Sequence, residues 1–139
     1  MTEASEEMMT GMSKERLLDR IALAFRLAGD DKRFREHAAD KDVTISFRVH
    51  RPAVAGTVRI KDGRISWGTG HPAALDVSVD WQDWPALRAW VQGRMPLWWS
   101  RLRRHVTVRG GWNPVFLECI YLFRYNLKTV LETQRGQGK

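Results

Sequence analysis

The sequence contains a single cysteine, Cys119, so it cannot form a disulfide within the chain. This excludes the small secreted domains that disulfides hold together, and we expect a reducing, cytoplasmic setting. Residues 1–12 are acidic and have no apolar core, which excludes a secretory signal. The longest apolar run, Val115–Phe123, is interrupted by Glu118 and is about half of the ~20 residues that a membrane span needs. We therefore expect a soluble protein.

The motifs of the common enzyme classes are missing as well. The sequence has no nucleophile elbow, phosphate-binding loop or dinucleotide fingerprint. Its four histidines lack the spacing of metal ligands: His37, His50, His71 and His105. Asp76 and Asp80 are better explained as partners of Arg48 and Arg109 on a wet sheet face than as an acid–base pair. We expect no metal, no cofactor and no catalytic residue.

The charge is strongly basic, with 23 basic and 16 acidic side chains and a net charge of +7. Such a balance attracts nucleic acid, acidic lipid surfaces or phosphorylated ligands. Nucleic acid is the least favoured partner, because no helix-turn-helix, zinc-knuckle or RNA-recognition motif is present. The basic cluster is either a solvated face or a surface that attracts anionic lipid headgroups or the phosphates of an acyl-CoA, and these interpretations stay open. Its members are Arg94, Arg101, Arg103, Arg104 and Arg109.

Alternation of apolar and polar residues predicts an antiparallel sheet with one dry face and one wet face. The strands are predicted at Val43–His50, Val54–Ile60, Ile65–Trp67, Leu75–Trp81 and Val106–Val108. Between the second and third strands, Asp62-Gly63 is typical of a two-residue hairpin turn with positive φ at both positions. The dry face, which includes Phe47 and Trp67, must be covered by helices.

Helical spacing of apolar residues supplies those helices. Their predicted positions are Ser13 to Gly29, Asp30 or Asp31 to about Ala39, Asp83 to Gly93, a short helix opened by Pro96, and Asn113-Pro114 to about Glu132. Ser13, Asp31 and Asp83 are typical N-cap residues, and glycine commonly ends a helix. The last helix is apolar nearly all round in its first half, which favours burial or contact with something besides this domain, including a second subunit.

Tryptophan is the other unusual feature of the composition. Five of the seven lie within nineteen residues, at 81, 84, 90, 98 and 99. Aromatic residues often form ordinary cores, and that interpretation remains open. However, each buried indole N–H must find an acceptor, whereas rings that line a pocket with a few polar contacts are typical of small-molecule sites. The density of tryptophan suggests a ligand cavity between sheet and helices without excluding an ordinary core.

The segments VRIKDGRISW, ALDVSVDW, VQGRM, LWWSRLR and HVTVRGG resemble the sterol carrier protein (type two) domain family. The most recognisable match is Gly93-Arg94-Met95 followed by the strand that ends at Gly110, and the resemblance covers roughly Phe34–Phe123. It implies an α+β fold in which a five-stranded, mainly antiparallel sheet has helices on one face and encloses an apolar tunnel. It also implies that the chain binds a sterol, fatty acid, acyl-CoA or another lipid.

We accordingly expect one lipid-binding domain at 13–133, a disordered leader at 1–12 and a flexible tail at 134–139. The expected cavity lining is Phe47, Trp67, Trp81, Trp84, Leu87, Trp90, Met95, Trp98, Trp99, Phe116 and Ile120. The expected contacts with an anionic surface are Arg94, Arg101, Arg103 and Arg104. A carrier or accessory role is favoured. The alternative is a small isomerase or cyclase acting on a hydrophobic substrate, with Tyr121, Tyr125 or Glu118 handling protons. A homodimer through the last helix is a further expectation.

Overall fold

The structure is a computed structural model, which describes residues 13–69, 75–93, 104–110 and 114–137. In chain order its helices and strands are α1 Lys14–Ala28, α2 Lys32–His37, β1 Asp42–Val49, β2 Val54–Lys61, β3 Arg64–Gly68, β4 Val77–Trp81, α3 Trp84–Val91, β5 Val106–Gly110 and α4 Pro114–Gln137. The segment predicted to open a short helix at Pro96 lies outside the described residues. Among the helices that the structure describes, none is long and apolar enough to cross a membrane.

The five strands form one mixed sheet in the order β3-β2-β1-β4-β5. Three neighbouring pairs are antiparallel, and β1 with β4 is the one parallel pair of the described sheet. The predicted α+β class and mainly antiparallel sheet are therefore confirmed. At the β2–β3 hairpin, Asp62 has φ 52° and Gly63 has φ 76°, so both positions of the predicted two-residue turn are left-handed.

Alternation along the strands separates the two faces as predicted. In β1, Val43, Ile45, Phe47 and Val49 are buried while the residues between them are partly exposed. On the outer face Arg48 lies beside Asp80 in the parallel register, with Nε 2.8 Å from Oδ1. This confirms the prediction that the Asp80 carboxylate compensates the charge of Arg48. The sequence suggested this pairing but did not show where the two side chains meet.

The helices begin where their caps predict. Ser13 accepts from the Arg16 backbone N–H, Asp31 from that of Phe34, and Asp83 from that of Ala86. Two boundaries differ from the prediction. Leu75 precedes β4 and is 47% exposed, so the inward alternation begins at Val77. Helix α4 extends to Gln137 rather than to about Glu132, and so runs past Gly136, a residue type that commonly ends helices.

The core is one cluster between the sheet and helices α1, α3 and α4. Helix α1 packs on α4 and on β2 and β3, while α3 packs on α4 and β4. We call the buried side chains where the sheet meets these helices the inner layer. Its largest fully buried members include Phe25, Phe47, Trp81, Trp90 and Phe123.

Candidate functional site

Most of the predicted cavity lining that the structure describes lies in the inner layer. Phe47, Trp81, Leu87, Trp90 and Phe116 have no exposed surface, and Trp84 and Ile120 are each 2% exposed. Trp67, on the edge strand β3, is only partly buried. Burial brings these residues together but does not separate a packed core from a lined cavity, because both remove a side chain from water. Their role in ligand binding therefore stays a prediction.

The other predicted site residues fall largely outside the described residues. These are Met95, Trp98 and Trp99 of the predicted lining, and Arg94, Arg101 and Arg103 of the predicted anionic contact. Arg104 is described: it is exposed just before β5, with a left-handed φ of 61°. Its exposure suits contact with a large anionic surface, which stays a prediction.

One part of the inner layer is a group of packed phenylalanine rings. The predicted site included Phe47 of this group but neither Phe25 nor Phe123. The Phe25 ring stacks on that of Phe123 with centroids 4.1 Å apart, and Phe47 meets both rings edge-on at 5.4 and 5.1 Å. On its other side Phe25 stacks on Trp67 at 5.6 Å. In the sequence, Phe25 and Phe123 lie among apolar residues at helical spacing. Only the packing of α1 against α4 shows that their rings meet.

A second part of the inner layer contains the stacked side chains of Trp81 and Trp90, which we call the indole pair. Trp81 ends β4 on the inward face, and Trp90 lies in the last turn of α3. Their rings stack at 5.3 Å with an interplanar angle of 30°. Among the described residues, three buried side-chain nitrogens have no hydrogen-bond partner: the Nε1 atoms of this pair and Nδ1 of His105. A buried donor without a partner costs about 1–3 kcal/mol of folding free energy. Two such donors on one pair of contacting rings therefore need a physical explanation.

Arg124 of α4 fixes the end of α3 behind the indole pair. Its Nε donates to the Trp90 backbone oxygen at 2.8 Å, and its guanidinium carbon lies 5.5 Å from the centre of the Trp90 ring. The first contact satisfies a carbonyl at a helix C-terminus, and the second is within the range of a cation–π interaction. Gly93, with φ 77°, ends the helix, and its N–H donates to the same oxygen at 3.0 Å.

We expect Arg124→Met to lower the free energy of unfolding by about 1–2 kcal/mol. The variant keeps an apolar stem but loses one hydrogen bond and the cation–π contact. The loss stays modest because the Gly93 N–H still satisfies the carbonyl. Urea denaturation measures the change. The matched control is Lys128→Met, one turn along on the exposed side of the same helix, which should change stability by less than about 0.5 kcal/mol. Equal effects of the two variants would contradict the capping role.

Two surface grooves lie beside α1. One, of about 510 Å³, is bounded by α1 and the edge strand β3 and is lined by Ile65 and Trp67 together with Arg26. The other, of about 470 Å³, lies at the start of α1 and is lined by Leu18 and Val54 with Lys14, Arg48 and His50. Both have the volume of a small-molecule site. Trp67 is the predicted lining residue that reaches the first groove.

Of the groups suggested for proton transfer, Tyr121 contacts the indole pair, with its ring centre 6.4 Å from that of Trp90. Tyr125 is 69% exposed and Tyr121 is 48% exposed on α4. Glu118 instead contacts His37 of α2, with Oε2 2.9 Å from Nδ1. Burial raises the pKa of the Cys119 thiol to about 12, helped by the nearby Glu118 charge, so it is not a ready nucleophile. Among the described residues no group of three or more His, Cys, Asp or Glu could hold a metal.

Scans of the sequence against protein-family models and curated proteins give no match. Solved structures do match. A Thermus thermophilus protein described as possibly a sterol carrier protein is 13% identical, with a TM-score of 0.57 over 81% of this chain and 86% of that one. Sterol carrier protein 2 is 14% identical, with a TM-score of 0.56 over 78% of this chain and 93% of that one. The chain has the sterol carrier protein 2 fold. The fold that the sequence resemblance implied is thereby confirmed.

The same fold also occurs as part of a larger enzyme. A double mutant of the sec-alkyl sulfatase PisA1 is 19% identical, with a TM-score of 0.57 over 81% of this chain. The chain spans about one sixth of that enzyme's length, 16%. Identities this low show the fold alone.

Proposed function

We propose that this sterol-carrier-like domain binds a hydrophobic small molecule, of the class of sterols, fatty acids, acyl-CoA or isoprenoid lipids, between the sheet and helices α3 and α4. The observation that carries the proposal is a likeness over nearly the whole length of the solved sterol carrier protein 2 chain, 93% of that chain. An inner layer of large aromatic rings supports it, because aromatic and aliphatic side chains dominate the lining of small-molecule pockets.

A carrier or accessory role is favoured over an enzyme of the isomerase or cyclase type. The candidate proton donors Tyr121 and Tyr125 are exposed, and Glu118 is engaged by His37. Binding alone needs only shape, apolar surface and a few polar contacts, and the apolar surface and two indole N–H groups of the inner layer support it. Docking on anionic membranes and dimerisation through α4 stay predictions. Vesicle co-sedimentation at rising salt tests the first, and light scattering tests the second.

Native mass spectrometry of the freshly purified full chain tests the proposal. A co-purifying lipid is expected, and its mass gives its class. After delipidation, a fluorescent fatty-acid probe should bind and should be displaced by unlabelled lipid. Trp90→Leu should weaken probe binding by a larger factor than it changes the unfolding equilibrium. Arg59→Gln, on the exposed outer face of β2, should change neither. A chain that carries no lipid and binds no apolar probe would refute the proposed function.

A further inference from the structure

The two N–H groups of the indole pair are buried hydrogen-bond donors without acceptors. Trp81 and Trp90 have no exposed surface, and their rings contact each other. Because an indole N–H can donate but cannot accept, neither group can satisfy the other. Both therefore need an oxygen or another acceptor from outside the pair.

The polar groups described around the pair do not supply that acceptor. The Trp90 carbonyl already accepts from Arg124 and Gly93. At the end of β4, the Trp81 carbonyl accepts from the His50 N–H, and the His105 carbonyl accepts from that of Gln82. The carboxylates nearest in sequence are engaged as well: Asp80 with Arg48, and Asp83 with the Ala86 N–H that it caps. The backbone around the pair is thus arranged without using either indole N–H.

The electrostatics also favour an acceptor at this position. The Arg124 guanidinium lies 5.5 Å from the Trp90 ring centre, so positive charge faces the same ring that carries an unpartnered donor. By Coulomb attraction, this positive charge favours a nearby ligand group with negative charge or an oxygen dipole over a cationic one. An ammonium head or a bare hydrocarbon offers neither.

We propose that Trp81 and Trp90 donate their indole N–H groups to an oxygen acceptor on the bound lipid, so that the ligand class carries a carbonyl or carboxylate oxygen. This inference rests on the proposed function, and it narrows the ligand from any hydrophobic molecule to one with an acceptor buried among aromatic rings. Hydrocarbons without oxygen and lipids with only an ammonium head are disfavoured. The indole pair then sets specificity, while the surrounding rings supply apolar contact.

The test removes each donor while keeping the shape of the ring. Trp81 or Trp90 in the full chain is replaced by benzothienylalanine, in which sulfur takes the place of the indole N–H. The matched control is the same replacement at Trp84, which is 2% exposed and whose N–H is not among the buried unpartnered nitrogens. The probes share one twelve-carbon chain: 2-dodecanone, dodecanoate, dodecane and dodecylamine. Affinities come from displacement of a fluorescent probe read at the probe's own emission.

Each replacement in the indole pair should weaken the binding of 2-dodecanone or dodecanoate about tenfold, as expected for one lost hydrogen bond. It should leave the affinity for dodecane unchanged. Comparing the ketone with the carboxylate shows which acceptor the site prefers. The melting temperature of the unliganded protein should stay the same or rise, because an unsatisfied donor has been removed. The Trp84 control should show no dependence on the head group.

Two results would overturn the inference while leaving the proposed function intact. One is a replacement in the indole pair that weakens the binding of dodecane and of 2-dodecanone equally, or that weakens the binding of neither. The other is a clear fall in the melting temperature of the unliganded protein, which would mean that the chain itself satisfies these N–H groups. If none of the four probes binds the unmodified chain and no lipid co-purifies with it, the proposed function fails together with the inference.

Discussion

Phe47→Ala is expected to lower the free energy of unfolding by about 3–5 kcal/mol, the usual range for removing a buried aromatic ring. Phe47 lies in β1, has no exposed surface, and contacts Phe25 and Phe123 edge-on. The ring thus joins the sheet to both α1 and α4, and three separate elements would have to move to close the cavity. A cavity at such a site closes poorly, so we expect the loss in free energy of unfolding to lie toward the upper end of that range.

Chemical denaturation of the variant beside Arg59→Ala provides the comparison. Arg59 lies on the outer face of β2 and pairs with Asp42, with both side chains more than half exposed. Its removal should change stability by less than about 0.5 kcal/mol. Similar losses for the two variants would mean that both faces of the sheet are covered, against the alternation observed in β1 and β2.

Gly56→Ala should destabilise the domain by about 1–3 kcal/mol through overpacking. Gly56 lies opposite Phe47 in the β1–β2 register, and the Trp67 ring covers it so closely that an added Cβ would lie 2.1 Å from that ring. An aromatic ring over a strand glycine shields backbone that the glycine leaves bare. Alanine must push Trp67 off this position and off its stack with Phe25.

A double-mutant cycle tests this cause directly. With Trp67→Leu in the background, the collision is relieved, so Gly56→Ala should then cost clearly less than it does alone. Urea denaturation of the four proteins gives the coupling free energy, which should be at least about 0.5 kcal/mol for residues in direct contact. Simple additivity would show that the loss arises from the backbone of β2 rather than from the Trp67 ring.

The local elements could be predicted because their causes are local. Ser13, Asp31 and Asp83 begin helices through bonds to residues three positions on, and Asp62-Gly63 fixes the hairpin through its own backbone angles. Alternation placed Phe47 inside and Arg48 outside without knowledge of any partner strand. The boundaries were less certain, since Leu75 continues the alternation of β4 in sequence but lies outside the strand and is exposed.

The sequence by itself determined the order of strands and helices, the two faces of the sheet and an excess of tryptophan in the inner layer. Only the tertiary structure decided which rings meet and which polar atoms are left without a partner. The parallel pairing of β1 with β4, the stacking of Trp81 on Trp90 and the reach of Arg124 to the Trp90 carbonyl join residues at least nine positions apart. Periodicity reports which side of an element is buried, but contacts between elements depend on how they pack, and the unpartnered indole donors arise there.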